Sequence, residues 1–434
     1  MDYRSFFFLI QIQHQDMFAN VYEIITFLVV LTAAFSYINV RFIKLPTTIG
    51  IMLISLICSI LIIWLGKYFP SVSSRITLLI DSVDFETILM RAMLSFLLFS
   101  GAIHIDFQRL RKEIVPIITY ATIGVVISTA FIGIAMYFIF QVFNLDVSFI
   151  YCLLFGSLIS PTDPIAVLGI LKQARIPPSL EIKISGESLF NDGVGVVVFI
   201  SLLDIALMGS ENHGVVQTTL LFLKEAGGGI VWGLLLGYGA YYLLKSIDHY
   251  QAEVLITIAV VMGGYLLASY LNVSGPLAMV VAGIIIGNKG EREAMSATTK
   301  DYVNKFWELI DEMLNALLFL LIGFEMIILS FDSRVILIGL IAIIVSLTGR
   351  YISVFIPTLF MSFKKTFDRT MLPILTWGGL RGGISVALAL SLPKGEFRNI
   401  LVSITYIIVV FSIMVQGLTI GKIAKKLTAS KDKS

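Results

Sequence analysis

Apolar runs long enough to cross a bilayer follow one another through almost the whole chain, and they constrain its fold more than any other feature. A helix needs about twenty consecutive apolar residues to span the hydrocarbon, because it rises about 1.5 Å per residue. Hydropathy places about thirteen such runs, at roughly 21–40, 46–65, 84–105, 115–141, 147–171, 184–207, 217–244, 253–271, 274–288, 307–330, 334–360, 371–391 and 399–421. The composition agrees: of 434 residues 57% are hydrophobic and only 14% charged, where a soluble domain carries about a quarter charged residues. The expected fold class is an all-α polytopic membrane protein. Between the runs there is no stretch large enough for a catalytic head or a nucleotide-binding module, so the chain is not expected to be an enzyme and its function has to lie within the bilayer.

The net charge of +2 does not point to a nucleic-acid partner, because the basic residues sit in short loops and report topology instead. Lys and Arg concentrate after the odd-numbered runs, for example Arg41 and Lys44, Arg109 to Lys112, Lys289 to Lys305, and in the tail from Lys422 to Lys433. This asymmetry places the C-terminus in the cytoplasm and the N-terminus outside, in a cell membrane. The tail 422–434 is expected to rest on anionic headgroups. Cys58 and Cys152 both fall in apolar runs and read as small buried hydrophobes, with no disulfide or metal framework. Phe6 to Ile10, after Arg4, lacks a small-residue cleavage site and reads as a short interfacial segment.

Two runs are interrupted by helix breakers. The fifth carries Pro161 and Pro164 around Asp163, and the twelfth carries Gly378-Gly379-Leu380-Arg381-Gly382-Gly383. Proline removes a backbone donor and clashes with the preceding turn, and closely spaced glycines do nothing to keep a backbone helical. Broken spans at corresponding places in two halves of a membrane protein are the sequence signature of a transporter built from inverted repeats, with an ion site where the breaks meet.

Carboxylates mark the same places. Asp163 follows Thr162 in the first break, and Glu187, Ser188, Asn191 and Asp192 lie together in the sixth run. A charged group at mid-bilayer costs about 3 kcal/mol even on insertion scales, so three carboxylates this close are expected to carry ions or protons. At the first break, unpaired carbonyls and the Thr162 hydroxyl are expected to join Asp163 in coordinating a hard monovalent cation through oxygen. Ser188 and Asp192 are four apart and share a helix face, while Asn191 stacks over Glu187. Glu187 needs a partner at that depth, and the basic residues inside runs are Arg91, Lys224, Arg350 and Arg381. Arg350 is assigned to Glu187. Arg381, at the second break, is expected to neutralise the carbonyl ends of the half-helices as Asp163 neutralises the amide ends.

The constellation Thr162-Asp163-Pro164, Gly186-Glu187-Ser188-Leu189-Phe190-Asn191-Asp192, Ser274-Gly275, Leu314-Asn315-Ala316-Leu317-Leu318-Phe319 and Gly379-Leu380-Arg381-Gly382-Gly383 resembles the monovalent cation/proton antiporters, in particular the NhaP/NHE branch. The resemblance covers nearly the whole chain. It implies a homodimer of thirteen-span subunits with crossed, broken helices, exchanging Na+ (or Li+ or K+) for H+ by alternating access and needing no cofactor beyond the transported ions. The family's cation ligands map onto Thr162, Asp163, Ser188 and Asp192, and its structural pair onto Glu187 and Arg350. It further implies dimerisation and scaffold helices over about 21–105 and 253–330, transport helices over about 115–207 and 334–421, and a linker helix over about 217–244 that holds Gly227-Gly228-Gly229. Asn191 stands where electrogenic relatives carry a second aspartate, so exchange is expected to be electroneutral, with Asp192 alone shared between cation and proton.

One departure concerns the third run. Relatives often carry a glutamate after Leu-Leu-Phe, where this chain has Leu97-Leu98-Phe99-Ser100. Ser100 offers an oxygen without charge, and His104, the nearest titratable group, reads as an interfacial residue. Glu308, Asp311 and Glu312 open the tenth run and read either as a cation funnel or as acids favoured by a helix N-terminus. Three other readings were weighed: a K+-preferring antiporter, an intramembrane aspartyl protease and a cation channel. The protease expects a Gly-x-Gly-Asp pattern, whereas Gly193 follows Asp192. A channel expects a continuous filter rather than breaks that occlude.

Overall fold

The computed structural model describes residues 22–69, 87–163, 167–168, 170–171, 176–208, 215–329, 331–361, 371–395 and 397–431. Phe6 to Ile10, Pro164, Lys433 and the side chains of Arg91 and Lys431 lie outside the described residues. Among the described residues each of the thirteen expected runs contains helix, and no strand forms beyond one isolated bridge. Among the described residues eight helices are long and apolar enough to cross a membrane, and the chain is a multi-pass membrane protein.

The molecule divides into two compact units, one of Met1–Asp84 with Asn315–Ile328 and one of Phe85–Leu314 with Leu329–Ser434. In the first, α1 (Tyr22–Ile43) and α2 (Thr47–Gly66) are joined by a tight turn. The Asn39 amide closes it, donating to the Leu45 carbonyl at 2.9 Å and accepting its N–H at 3.3 Å. Phe35 packs on Phe324 with ring centroids 6.2 Å apart. The Ser59 hydroxyl donates to the Gly323 carbonyl at 2.8 Å.

The second unit holds α3 (Ile88–Ile103), α4 (Ile114–Val142), α5 (Phe149–Ile159), α6 (Pro178–Met208), α7 (Val215–Lys245), α8 (Tyr250–Tyr270), α9 (Gly275–Ile285), the first part of α10 (Ala297–Glu325), α11 (Ser333–Met361), α12 (Met371–Trp377) and α13 (Gly383–Leu390). It ends with α14 (Arg398–Leu427). The last runs are short because the glycines after Trp377 split the twelfth span into α12 and α13. The fifth span stops at Ile159, where Pro161 cannot supply the next helical N–H.

Helices in lipid gain little from hydrophobic burial against one another and associate through close packing at small residues. Gly229, Gly233 and Gly237 are four apart on one face of α7 and receive α9. A side chain at Gly233 would meet the Ala278 carbonyl oxygen at 2.5 Å and Val281 at 2.8 Å. In the Gly227-Gly228-Gly229 stretch, Gly228 packs on Val273 and Gly229 on Ser274, while Gly227 faces open space. From its other side α9 meets α3 through Gly283, where a side chain would lie 2.7 Å from the Ala102 methyl. Ser274 caps α9, accepting the Leu277 N–H at 3.3 Å with Pro276 in the first turn.

Ser100 is buried on α3, and its hydroxyl donates to the Trp307 carbonyl at 3.1 Å. It serves as a structural tie between α3 and α10. Trp307 itself donates to Thr257 at 3.0 Å and packs on Phe99 at 4.6 Å. His104 is exposed just past α3. Glu308, Asp311 and Glu312 do not open a helix: α10 begins at Ala297, more than two turns earlier, so the dipole reading of these acids is lost.

Overpacking a tight helix contact costs about 1–3 kcal/mol. Gly233→Val is therefore expected to lower the melting temperature in detergent, whereas the same change at Gly239, which faces open space, should not. Equal melting of the two variants would show that the α7–α9 contact does not carry stability.

Candidate functional site

The two interrupted segments cross. The chain leaves the helix after Ser160, the cap of α5, and the Asp163 N–H donates to the Leu380 carbonyl at 2.8 Å, forming an antiparallel bridge with the break between α12 and α13. Glycine is required on both sides of the crossing. A side chain at Gly379 would collide with the Arg350 guanidinium, one at Gly382 with the Asp163 carboxylate, and one at Gly195 of α6 with the Pro161 ring.

Charge is placed against the broken ends. The carbonyls of Ser160 and Pro161 accept from Arg381 Nη1 at 2.9 and 3.2 Å. This cation therefore sits where the α5 end is negative. Asp163 lies against Gly382, the residue preceding α13, where an anion favours a helix N-terminus. At the far end of α13 Arg398 donates to the Leu390 carbonyl at 2.7 Å.

Glu187 and Arg350 pair. Both guanidinium nitrogens reach the carboxylate, Nη2 to Oε2 at 2.9 Å and Nη1 to Oε1, while Nε donates to the Leu375 carbonyl of α12 at 3.1 Å. Both residues are buried, and the fork geometry suits a bidentate carboxylate. Ser346, one turn before Arg350 on α11, lies 3.5 Å from Arg381 Nε.

Thr162 is held from α6 at three atoms. Its N–H donates to Asn191 Oδ1 at 3.3 Å, its hydroxyl oxygen accepts from Asn191 Nδ2 at 2.9 Å, and its carbonyl accepts from the Ser188 hydroxyl. The carbonyls expected to be unpaired at the first break are therefore engaged: those of Ser160 and Pro161 by Arg381, that of Thr162 by Ser188. The Thr162 and Ser188 hydroxyl oxygens keep lone pairs for a cation, because in these bonds Ser188 gives away its hydrogen and Thr162 accepts only one.

Asp192 differs from all of these. It is 8% exposed and lies within electrostatic reach of Asp163. Among the described residues no hydrogen bond or ion pair holds it. Sequence reasoning missed Ser346, Ser412 and Gln416, which also bond to the second break or its flanks. Their only signal is a polar side chain inside an apolar run. It missed as well the pair of buried Lys183 with half-buried Glu113 at 3.0 Å, at the entry to α6.

Removing one partner of a buried pair strands a charge at a cost of about 3–5 kcal/mol. Glu187→Ala and Arg350→Ala are each expected to lower thermal stability in detergent, Arg350→Ala more because it also orphans the Leu375 carbonyl. The double variant should recover part of the summed loss. Strict additivity would contradict the pairing.

Comparisons with known proteins place this geometry. A family model described as "Sodium/hydrogen exchanger, transmembrane" matches residues 29–426. The Na(+)/H(+) antiporter NhaP of Pseudomonas aeruginosa is 47% identical over 94% of this chain and 97% of its own. NhaH of Halobacillus dabanensis is 33% identical over 89% and 93%. The solved structure of the sodium proton antiporter MjNhaP1 from Methanocaldococcus jannaschii superposes with a TM-score of 0.72 over 94% of this chain and 99% of that one, at 20% identity. That likeness extends the agreement to the fold. A match across nearly the full length by family model, sequence and fold means that this chain belongs to the transmembrane sodium/hydrogen exchanger family.

Proposed function

We propose that the chain is a secondary transporter, and not an enzyme, that exchanges Na+ for H+ across the membrane by alternating access. Cation and proton alternate on Asp192. The observation that carries this reading is the contrast within the cluster. Glu187, Asn191, Arg350 and Arg381 are committed to structural partners, whereas Asp192, buried like them, is unbonded among the described residues. A hard monovalent cation would take oxygens from Asp192, Asp163, Ser188 and Thr162, and a proton on Asp192 would remove its charge from that set. Sodium stands in the names of the relatives above, which supports Na+ over the K+-preferring alternative.

The charge balance supports an electroneutral cycle. Arg350 neutralises Glu187, and Asp163 faces the amide end of α13, so one carboxylate remains to exchange one proton for one cation. The bias of Lys and Arg between loops supports a cytoplasmic C-terminus in the cell membrane. The family resemblance supports a homodimer. It also supports a working division into scaffold helices at about 21–105 and 253–330, transport helices at about 115–207 and 334–421, and a linker at about 217–244. Both breaks fall in the transport set.

In proteoliposomes, Na+ should evoke a pH change that saturates, and apparent Na+ affinity should fall as pH drops because the two ions compete. Asp192→Asn, nearly isosteric but unable to release a proton or bind by charge, should abolish exchange. An imposed potential, worth about 2.3 kcal/mol per elementary charge per 100 mV, should neither drive nor brake it. Robust transport by Asp192→Asn would overturn the assignment, and potential-driven proton movement at equal Na+ would overturn the electroneutral cycle.

A further inference from the structure

Breaking the twelfth span leaves its two halves without the backbone ladder that would otherwise join them. A side-chain thread from α14 crosses the gap. Gln416 Nε2 donates to the Trp377 carbonyl, the last residue of α12, at 2.9 Å. The Ser412 hydroxyl donates to Gln416 Oε1 at 2.8 Å and accepts the Arg381 N–H at 2.9 Å. Donors and acceptors match at every step, and Gln416, Ser412 and Arg381 are all buried. Ser412 and Gln416 are the first and last residues of a π-helical turn inside α14, and their own side-chain bond sets the span between the two attachment points.

The geometry points to Gln416, acting with Ser412, as a positioning residue for cation binding. It fixes the backbone of Arg381, and with it the Leu380 carbonyl that accepts the Asp163 N–H. Thr162 and Asp163 are thereby held at their distance from Ser188 and Asp192. The inference rests on the cation-exchange reading above for its consequence, but not for its mechanics. Loss of the thread frees the second break, blurs the register of the crossing and weakens the cation site, while the helices that pack the unit stay in place. A buried polar pair serving only stability would act differently: it would lower the amount of folded protein and leave the properties of each folded molecule alone.

The test uses the full chain in two variants. Gln416→Leu keeps the volume and removes both bonds, and Ser412→Ala removes one hydroxyl. In proteoliposomes, per folded protein, Gln416→Leu is expected to raise the KM for Na+ about tenfold with little change in kcat, as expected when a buried carbonyl loses its partner and supported ligands loosen. Ser412→Ala should shift KM in the same direction, and the double variant should be no worse than the worse single, because the two belong to one thread. Amide hydrogen exchange should show lost protection across residues 378–382 in both. Unchanged KM in both variants, a loss that follows only the yield of folded protein, or unaltered amide exchange at the break would each overturn the inference. If the wild-type protein shows no Na+-evoked exchange, the transport reading fails, and the amide-exchange result alone then decides whether the thread positions the break.

Discussion

A backbone that leaves the helix inside a hydrocarbon slab must find new partners for its N–H and C=O groups, and the centre of this protein is organised around that requirement. The two broken spans partly supply each other, through the bridge from Asp163 to Leu380. Side chains from three other helices supply more. Asn191 and Ser188 from α6 hold Thr162, Arg350 from α11 reaches Leu375, and Ser412 and Gln416 from α14 bracket the second break. Proline and glycine create the need, and polar residues on the neighbouring helices meet it.

The same arrangement sorts the charges by role. Arg381 and Asp163 stand at half-helix ends of opposite polarity, so each is favoured by the dipole end that it faces. Glu187 and Arg350 cancel each other while clamping α6 to α11. Once these assignments are made, Asp192 is the carboxylate of the cluster that has no hydrogen-bond or ion-pair partner among the described residues. A group whose charge is not needed by the scaffold can lose it to a proton and regain it for a cation without dismantling the fold. In the proposed cycle, ion exchange depends on how completely the neighbours of Asp192 are committed.

Much of this was legible in the sequence, for identifiable reasons. Hydropathy located the spans because the bilayer filters for length, and the breakers located the crossing because proline and glycine act locally. The partner of Glu187 could be named because few basic residues lie inside apolar runs. The limits were equally physical. Hydropathy detects hydrocarbon rather than helix, so the polar first turns of α10 were invisible and Glu308, Asp311 and Glu312 were placed at a helix start that lies earlier. The commitment of the Ser160, Pro161 and Thr162 carbonyls depends on residues far away in the chain meeting in space, and no local pattern encodes it. Ser100 reads in the sequence as an uncharged oxygen, and only the fold shows that its hydrogen goes to the Trp307 carbonyl. Gln416 and Ser412 left a faint trace, two polar residues four apart in an apolar run, whose meaning required the position of Trp377.

The central claim is that a cation and a proton exclude each other on Asp192. Calorimetric titration of the purified protein with Na+, in buffers of equal pH but different protonation enthalpy, measures this directly. The account predicts that Na+ binding releases protons, approaching about one per cation at pH values where the site is protonated, and that Asp192→Asn shows neither binding nor release. Na+ binding of wild-type strength without proton release, or unchanged release from Asp192→Asn, would contradict it.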